Sequence, residues 1–164
     1  TWLAAFLLAS WAPHWTGQAL IGVVGGASFA AIGLAGLAGA RAGGWVADRW
    51  GRTRATIGAM GVSGAMALLI GSTYRQAPWL TMLVALIWGF SVIADSAQFS
   101  TAVTELSPAA LQGSALTVQM AVGFLIAIGS IDLVGWLEPI IGWSYVLMLL
   151  AVGPAVGMVG DGPP

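Results

Sequence analysis

The chain has 164 residues, of which 59% are apolar and 7% are Asp, Glu, Lys or Arg. In a soluble domain roughly a quarter of the residues are charged, so this sequence suits a lipid-facing surface rather than a water-facing one. The net charge of -1 provides no basic field to attract a nucleic-acid backbone, which excludes nucleic acid as a partner. The sequence has no Cys and His14 is its single His, so it predicts no metal site and no cofactor site.

Apolar stretches of membrane-spanning length follow one another along the chain. A helix needs about 20 apolar residues to cross a bilayer core of ~30 Å. The sequence therefore predicts an all-α transmembrane protein, with one transmembrane domain over residues 1–164 and the lipid bilayer as its surroundings. Because the chain starts at Thr1 directly in an apolar run, we expect the first span, 2–11, to be truncated. Five full spans are predicted at 18–40, 55–72, 79–100, 113–134 and 140–159.

The connecting segments are short, so consecutive spans are predicted to be antiparallel neighbours. Four of the five Arg lie in one of these segments, 41–54, which is predicted to be a loop. Connections rich in Lys or Arg stay on the cytoplasmic side of a membrane. We therefore expect this loop to be cytoplasmic and the segments that contain His14 and Arg75 to lie outside.

Small residues recur every four positions in the second segment. They are Gly22, Gly26 and Ala30, followed by Ala35, Gly39 and Gly43. This spacing places them on one stripe of a helix, where a neighbouring helix can approach closely. Two interpretations stay open: plain tight packing, and a surface along which a neighbouring helix slides.

The most specific pattern in the chain is Gly44-Trp-Val-Ala-Asp48-Arg49-Trp-Gly51-Arg52-Thr-Arg54. It resembles the signature G-x-x-x-D-R-x-G-R-x-R, which follows the second helix of each six-helix half in the major facilitator superfamily (MFS) of transporters. On physical grounds, Gly44 would let a neighbouring helix approach and Gly51 would permit a tight turn. Asp48 could pair with a nearby Arg or face the positive end of a helix dipole.

In that family the signature forms a cytoplasmic latch that holds one transporter conformation. The resemblance implies that the latch motif here consists of Gly44, Asp48, Arg49, Gly51, Arg52 and Arg54. The alternative is that these arginines merely anchor the segment at anionic lipid headgroups.

The later segments indicate which half of a transporter this is. Segment 95–108, followed by 113–119 and Gly123-Phe124, resembles the tenth and eleventh helices of bacterial members of the family. Gly142-Trp143 resembles the start of the twelfth helix, although Ser144 stands where an Arg often follows. The resemblance implies an MFS-type helix bundle that corresponds to spans seven to twelve, with the N-terminal six-helix half missing from this chain.

Ionisable groups inside a span are costly and are functional candidates by default. Ser91, Asp95, Gln98 and Glu105 share one face of the segment 79–105, apart from its Leu and Val residues. We predict that Asp95, Gln98 and Gln119 serve transport or proton coupling, with Gln119 facing Asp95 from the next span. The alternative for Asp95 is a buried carboxylate satisfied by an Arg or a hydroxyl. Glu105 is interpreted as a solvated loop acid.

The sequence carries none of the common catalytic motifs, such as Gly-x-Ser-x-Gly or His-Glu-x-x-His, and it predicts no enzyme activity. The resemblance implies secondary active transport of a small solute by alternating access in a bacterial inner membrane. Two other classes stay open. One is a non-transporting membrane scaffold or assembly subunit that uses the small-residue stripe, and the other is an intramembrane enzyme.

Overall fold

The computed structural model describes residues 2–160, and the exposure of side chains for residues 2–156. Every secondary-structure element within these residues is a helix, which confirms the all-α prediction. The first five helices are α1 (Trp2–Trp11), α2 (Gly17–Trp50), α3 (Arg52–Ser72), α4 (Pro78–Leu106) and α5 (Gln112–Ile141). The last element, α6, consists of Trp143–Val146, a 3-10 segment Leu147–Ala151, and Val152–Gly160.

Four of these helices, α2 to α5, are long and apolar enough to cross a membrane. This is compatible with a multi-pass membrane protein. Of the five full spans that the sequence predicts, the one at 140–159 corresponds to the interrupted α6 and is not among the four. Helix α1, which covers the truncated first span, has 10 residues.

The Arg-rich segment 41–54 is helical, so the prediction of a loop there is wrong. Helix α2 continues to Trp50, with one π-helical turn at Phe29–Leu34, and α3 begins at Arg52. Gly51 alone separates the two helices, and its φ of +91° lies in a region that other residues rarely adopt. The prediction failed because Ala, Arg, Trp and Val can continue a helix well beyond the end of an apolar run.

The predicted break at 135–139 is wrong as well, since α5 continues through Pro139 to Ile141. Proline lacks an N–H and usually interrupts a helix. Pro139 lies in the last turn and removes the one hydrogen bond that an N–H there would donate to the carbonyl four residues earlier, and the helix ends two residues later. The helix ends instead at Gly142, whose φ is +76° and whose N–H donates to the Glu138 carbonyl at 2.8 Å.

Helix α4 packs against both α2 and α3 and forms the centre of the bundle. A Cβ atom added at Gly39 of α2 would overlap the carbonyl oxygen of Phe90, and one added at Gly89 of α4 would overlap that of Ala31. The backbones of α2 and α4 therefore touch at two levels. The prediction of close approach is confirmed for the C-terminal part of the stripe, whereas a Cβ at Gly22 or Gly26 would meet no atom within 4 Å.

Helix α1 is short but well packed at its two ends. The ring of Phe6 is fully buried, and its centroid lies 5.8 Å from that of Tyr74 and 6.0 Å from that of Trp143. The hydroxyl of Ser10 accepts a hydrogen bond from the backbone N–H of Arg75 at 3.0 Å. These contacts join α1 to α6 and to the connection between α3 and α4.

Helix α5 is different, because Val134 is its one buried residue. The side chains of Phe124 and Leu125 are each 69% exposed, and that of Ile126 is 67% exposed. An exposed apolar surface of this kind is suited to lipid or to another apolar partner.

Candidate functional site

The most specific polar contact of the chain starts at Arg52, the first residue of α3. One guanidinium nitrogen of Arg52 donates to Oε1 of Gln98 at 3.2 Å, and the other forms an ion pair with Glu105. Gln98 and Glu105 lie seven residues apart on α4, which places them two turns apart on one face. The latch motif is thereby linked to the central helix of the bundle.

The environment of this Arg52 contact ranges from buried to exposed. The side chain of Gln98 is 4% exposed, whereas those of Arg52 and Glu105 are 32% and 53% exposed. Beside it lies a small pocket of about 100 Å³, lined by Thr53, Thr56 and Gln98 among others. A buried amide therefore holds one side of the guanidinium, and an exposed carboxylate holds the other.

Sequence reasoning missed the role of Glu105, which was interpreted as a solvated loop acid. Glu105 lies within α4 and is the ion-pair partner of Arg52. Its spacing of seven from Gln98 places both side chains on one face of the helix, but this spacing does not show which helix they contact.

The other charged residues of the latch motif lie at the surface. Among the described residues, Arg52–Glu105 is the one ion pair, and Asp48 is exposed without an Arg partner. The guanidinium carbon of Arg49 lies 5.6 Å from the ring centroid of Trp45, within the range of a cation–π contact. Arg54 is exposed at the edge of a groove between α2 and α3.

Of the predictions for the two glycines of the latch motif, one is confirmed and one is wrong. Gly51 forms the tight turn, as expected from its conformational freedom. The prediction that Gly44 lets a neighbouring helix of this chain approach is wrong, because a Cβ added there would meet no atom within 4 Å. The close contact belongs to the preceding residue, Gly43, where an added Cβ would lie 3.2 Å from that of Ala94.

Asp95, the predicted coupling carboxylate, lies on α4 and is half-buried. Its Oδ1 accepts a hydrogen bond from the hydroxyl of Ser96 at 3.2 Å. Within residues 2–160 it has no Arg partner. If Asp95 is a buried carboxylate, the sequence predicted an Arg or a hydroxyl as its partner. A hydroxyl partner is present, and an Arg partner is not found among the described residues.

Gln119 of α5 faces α4, but its partner there is not Asp95. Its Nε2 lies 3.5 Å from the hydroxyl oxygen of Ser100, and its Oε1 is buried without a hydrogen-bond partner among the described residues. The prediction that Gln119 faces Asp95 is wrong, because the contact lies further along α4, at Ser100. Its amide oxygen is left as an unused acceptor.

An open groove of about 730 Å³ runs between α4 and α5, past these polar groups. Ser96, Ser100 and Gln119 line it together with apolar residues such as Phe99 and Phe124. Hydroxyl and amide groups on an otherwise apolar wall can orient a small polar solute. Within residues 2–160, no group of three or more His, Cys, Asp and Glu could hold a metal ion.

The candidate site thus consists of two parts on α4: the Arg52 contact near its C-terminal end and the polar groove that faces α5.

No protein-family model, no curated protein and no solved structure matches the chain.

Proposed function

We propose that this chain is a six-helix half of a secondary active transporter of the MFS type. It moves a small solute across a bacterial inner membrane by alternating access, together with a second six-helix half. Helices α2 to α5 then serve as membrane spans. The polar groups between α4 and α5 contribute to the path of the solute.

The observation that carries the proposal is the link between Arg52 and α4. Arg52 belongs to the pattern that resembles the family signature, and it reaches Gln98 and Glu105 across the helix pair. An exposed ion pair stabilises a protein by only about 0–1 kcal/mol. A contact of this strength is easily opened and closed, which suits a latch better than a structural clamp.

The location of the remaining polar groups also supports a transport role. Ser96 borders the groove from α4 and donates to the neighbouring Asp95, and Gln119 faces the groove from α5. Polar groups inside apolar spans are expensive unless they serve a pathway or find partners. The Oε1 of Gln119 is buried beside the groove and has no hydrogen-bond partner among the described residues.

The structure offers less support for the scaffold hypothesis. In this hypothesis the small-residue stripe is a docking surface for another protein. The part of the stripe around Gly39 and Gly43 is occupied inside the chain by α4. This leaves its N-terminal part, around Gly22 and Gly26, for other contacts.

The test is uptake of small polar solutes into vesicles that contain the full-length protein, driven by a proton gradient. We expect Asp95→Asn to abolish the dependence of uptake on the gradient while solute exchange continues, because an amide cannot carry the coupling proton. Ser114→Ala, at an exposed residue of α5 outside the groove, is the control and should behave as the unaltered protein. Undiminished gradient-driven uptake by Asp95→Asn would remove Asp95 from the mechanism, and a folded protein that moves none of the solutes would contradict the transport proposal.

A further inference from the structure

A second groove, of about 360 Å³, lies on another face of the bundle. Its walls are α2 and α3, and Phe90, Ser91 and Ala94 of α4 form its floor. Small side chains create the space, since Ala42 and Gly43 line one wall, and Ala55, Gly58 and Ala59 line the other. The result is an apolar channel along two helices of spanning length.

The two ends of this α2–α3 groove differ in chemistry. Trp50 and Arg54 lie at one end, beside the turn at Gly51, and Ala42 and Val62 lie at the other. On each of the two helices, the lining residues at the two ends of the groove are eight positions apart, which corresponds to a length of about 12 Å. The groove therefore runs from a cationic, aromatic mouth into an interior that is apolar apart from Ser91 on its floor.

The mouth is open to the surroundings, and no carboxylate among residues 2–160 forms an ion pair with its Arg. The side chain of Trp50 is 62% exposed, and Arg54 is also exposed. Among the described residues the one ion pair is that of Arg52, so Arg54 has no carboxylate partner there. Tryptophan is enriched at the level of lipid headgroups, where an Arg attracts anionic lipids.

We propose that the α2–α3 groove binds one anionic phospholipid. Its phosphate contacts Arg54 beside Trp50, and one acyl chain lies in the channel over Gly58 and Gly43. A cationic, aromatic mouth at one end of an apolar groove matches the charged headgroup and apolar chain of a lipid better than it matches a protein helix. This inference depends on the membrane location of the chain and does not depend on transport.

The test is retention of lipid by the full-length protein, purified in mild detergent with phosphatidylglycerol and phosphatidylcholine of identical acyl chains, and weighed by native mass spectrometry. We expect preferential retention of phosphatidylglycerol. Arg54→Gln should lower the ratio of the two lipids about fivefold, as expected when one Arg contact near the surface is lost. Arg75→Gln is the matched control, because this exposed Arg lies at the opposite end of α3.

A second variant tests the channel itself. Gly58→Leu should fill the groove without disturbing the fold, because a Cβ added at Gly58 meets no atom within 4 Å, and it should reduce retained phosphatidylglycerol several-fold. Gly25→Leu, at another open glycine, should leave retention unchanged. Equal retention of the two lipids, or variants that behave like their controls, would overturn the proposal. A dimer that disappears in Gly58→Leu would assign the groove to a second copy of the chain and overturn it as well.

Discussion

The contact between α2 and α4 and the contact between α4 and α5 are built in opposite ways. Where α2 meets α4, the backbones touch at Gly39 and Gly89, and no side chain separates them. Where α4 meets α5, a groove of about 730 Å³ lies between the helices, and Gln119 makes a long polar contact with Ser100. A hydrogen bond of 2.9 Å from the Gln112 amide to the Thr104 carbonyl joins the two helices near the connection between them.

The difference indicates which parts of the bundle move together. A packed interface without space for an extra methyl group has one favourable arrangement, so α2 and α4 should behave as one body. A helix with one buried residue loses little when it shifts, so α5 should be more mobile than α2 relative to α4. The predicted solute path borders the loosely packed helix.

The largest difference in stability is expected between removing an aromatic ring from the packed core and removing one from α5. Phe6→Ala should reduce the free energy of unfolding by about 3–5 kcal/mol, because the ring is fully buried between Tyr74 and Trp143. Phe124→Ala on α5 should change it by less than about 0.5 kcal/mol, because that ring is 69% exposed. Equilibrium unfolding of the purified chain in one detergent measures the two values, and equal losses would remove the distinction between a packed core and a loosely attached α5.

A smaller effect is expected at the helix contact itself. Gly39→Ala should cost about 1–3 kcal/mol, because the added Cβ overlaps the carbonyl oxygen of Phe90 and the two helices must separate. Gly25→Ala is the matched control on the same helix, where the added Cβ meets nothing within 4 Å and higher helix propensity should slightly increase stability. Thermal unfolding of both variants measures the difference. If both changes proved neutral, α2 and α4 would not be in close contact.

The smallest effect on stability should come from the ion pair between Arg52 and Glu105. Glu105→Gln should change the free energy of unfolding by less than about 1 kcal/mol, because the ion pair is partly exposed. Arg52→Gln should cost more, about 1–3 kcal/mol, because it also leaves the buried Gln98 amide oxygen without its donor. In a double-mutant cycle the combined variant should lose little more than Arg52→Gln alone, since that change already removes the ion pair. Fully additive losses would show that the two side chains do not interact.

The sequence predicted the helical class and the approximate position of each spanning helix, because runs of about 20 apolar residues leave few other structures. Two boundaries were wrong for the same reason. The predicted spans stop where apolar residues stop, at Arg41 and near Gly135, whereas the helices end where the backbone must change direction, at Gly51 and Gly142. Apolar runs locate the lipid-facing part of a helix, and glycines with positive φ locate its end.

The contacts between helices were predictable only in part. A spacing of four identified Gly39 and Gly43 as a contact stripe, but not Gly44, because the next residue on a helix points about 100° away. The pairing of Arg52 with Glu105, 53 residues later, depends on which helices are neighbours. Residue spacing within one helix does not contain that information.

The most direct measurement of alternating access is the labelling of a single Cys. Residues 1–164 contain no Cys, and any Cys elsewhere in the full-length protein is first replaced by Ser. A single Cys is introduced at Ser96, which is exposed in the groove between α4 and α5, and the full-length protein in vesicles is treated with a membrane-impermeant thiol reagent from either side. Ala109→Cys and Gln76→Cys, in exposed connections at opposite ends of α4, serve as controls that react from one side each. The account predicts that the Cys at 96 reacts from both sides and that Arg52→Gln shifts the balance between them. Reaction from one side alone, with the same rate in Arg52→Gln, would contradict it.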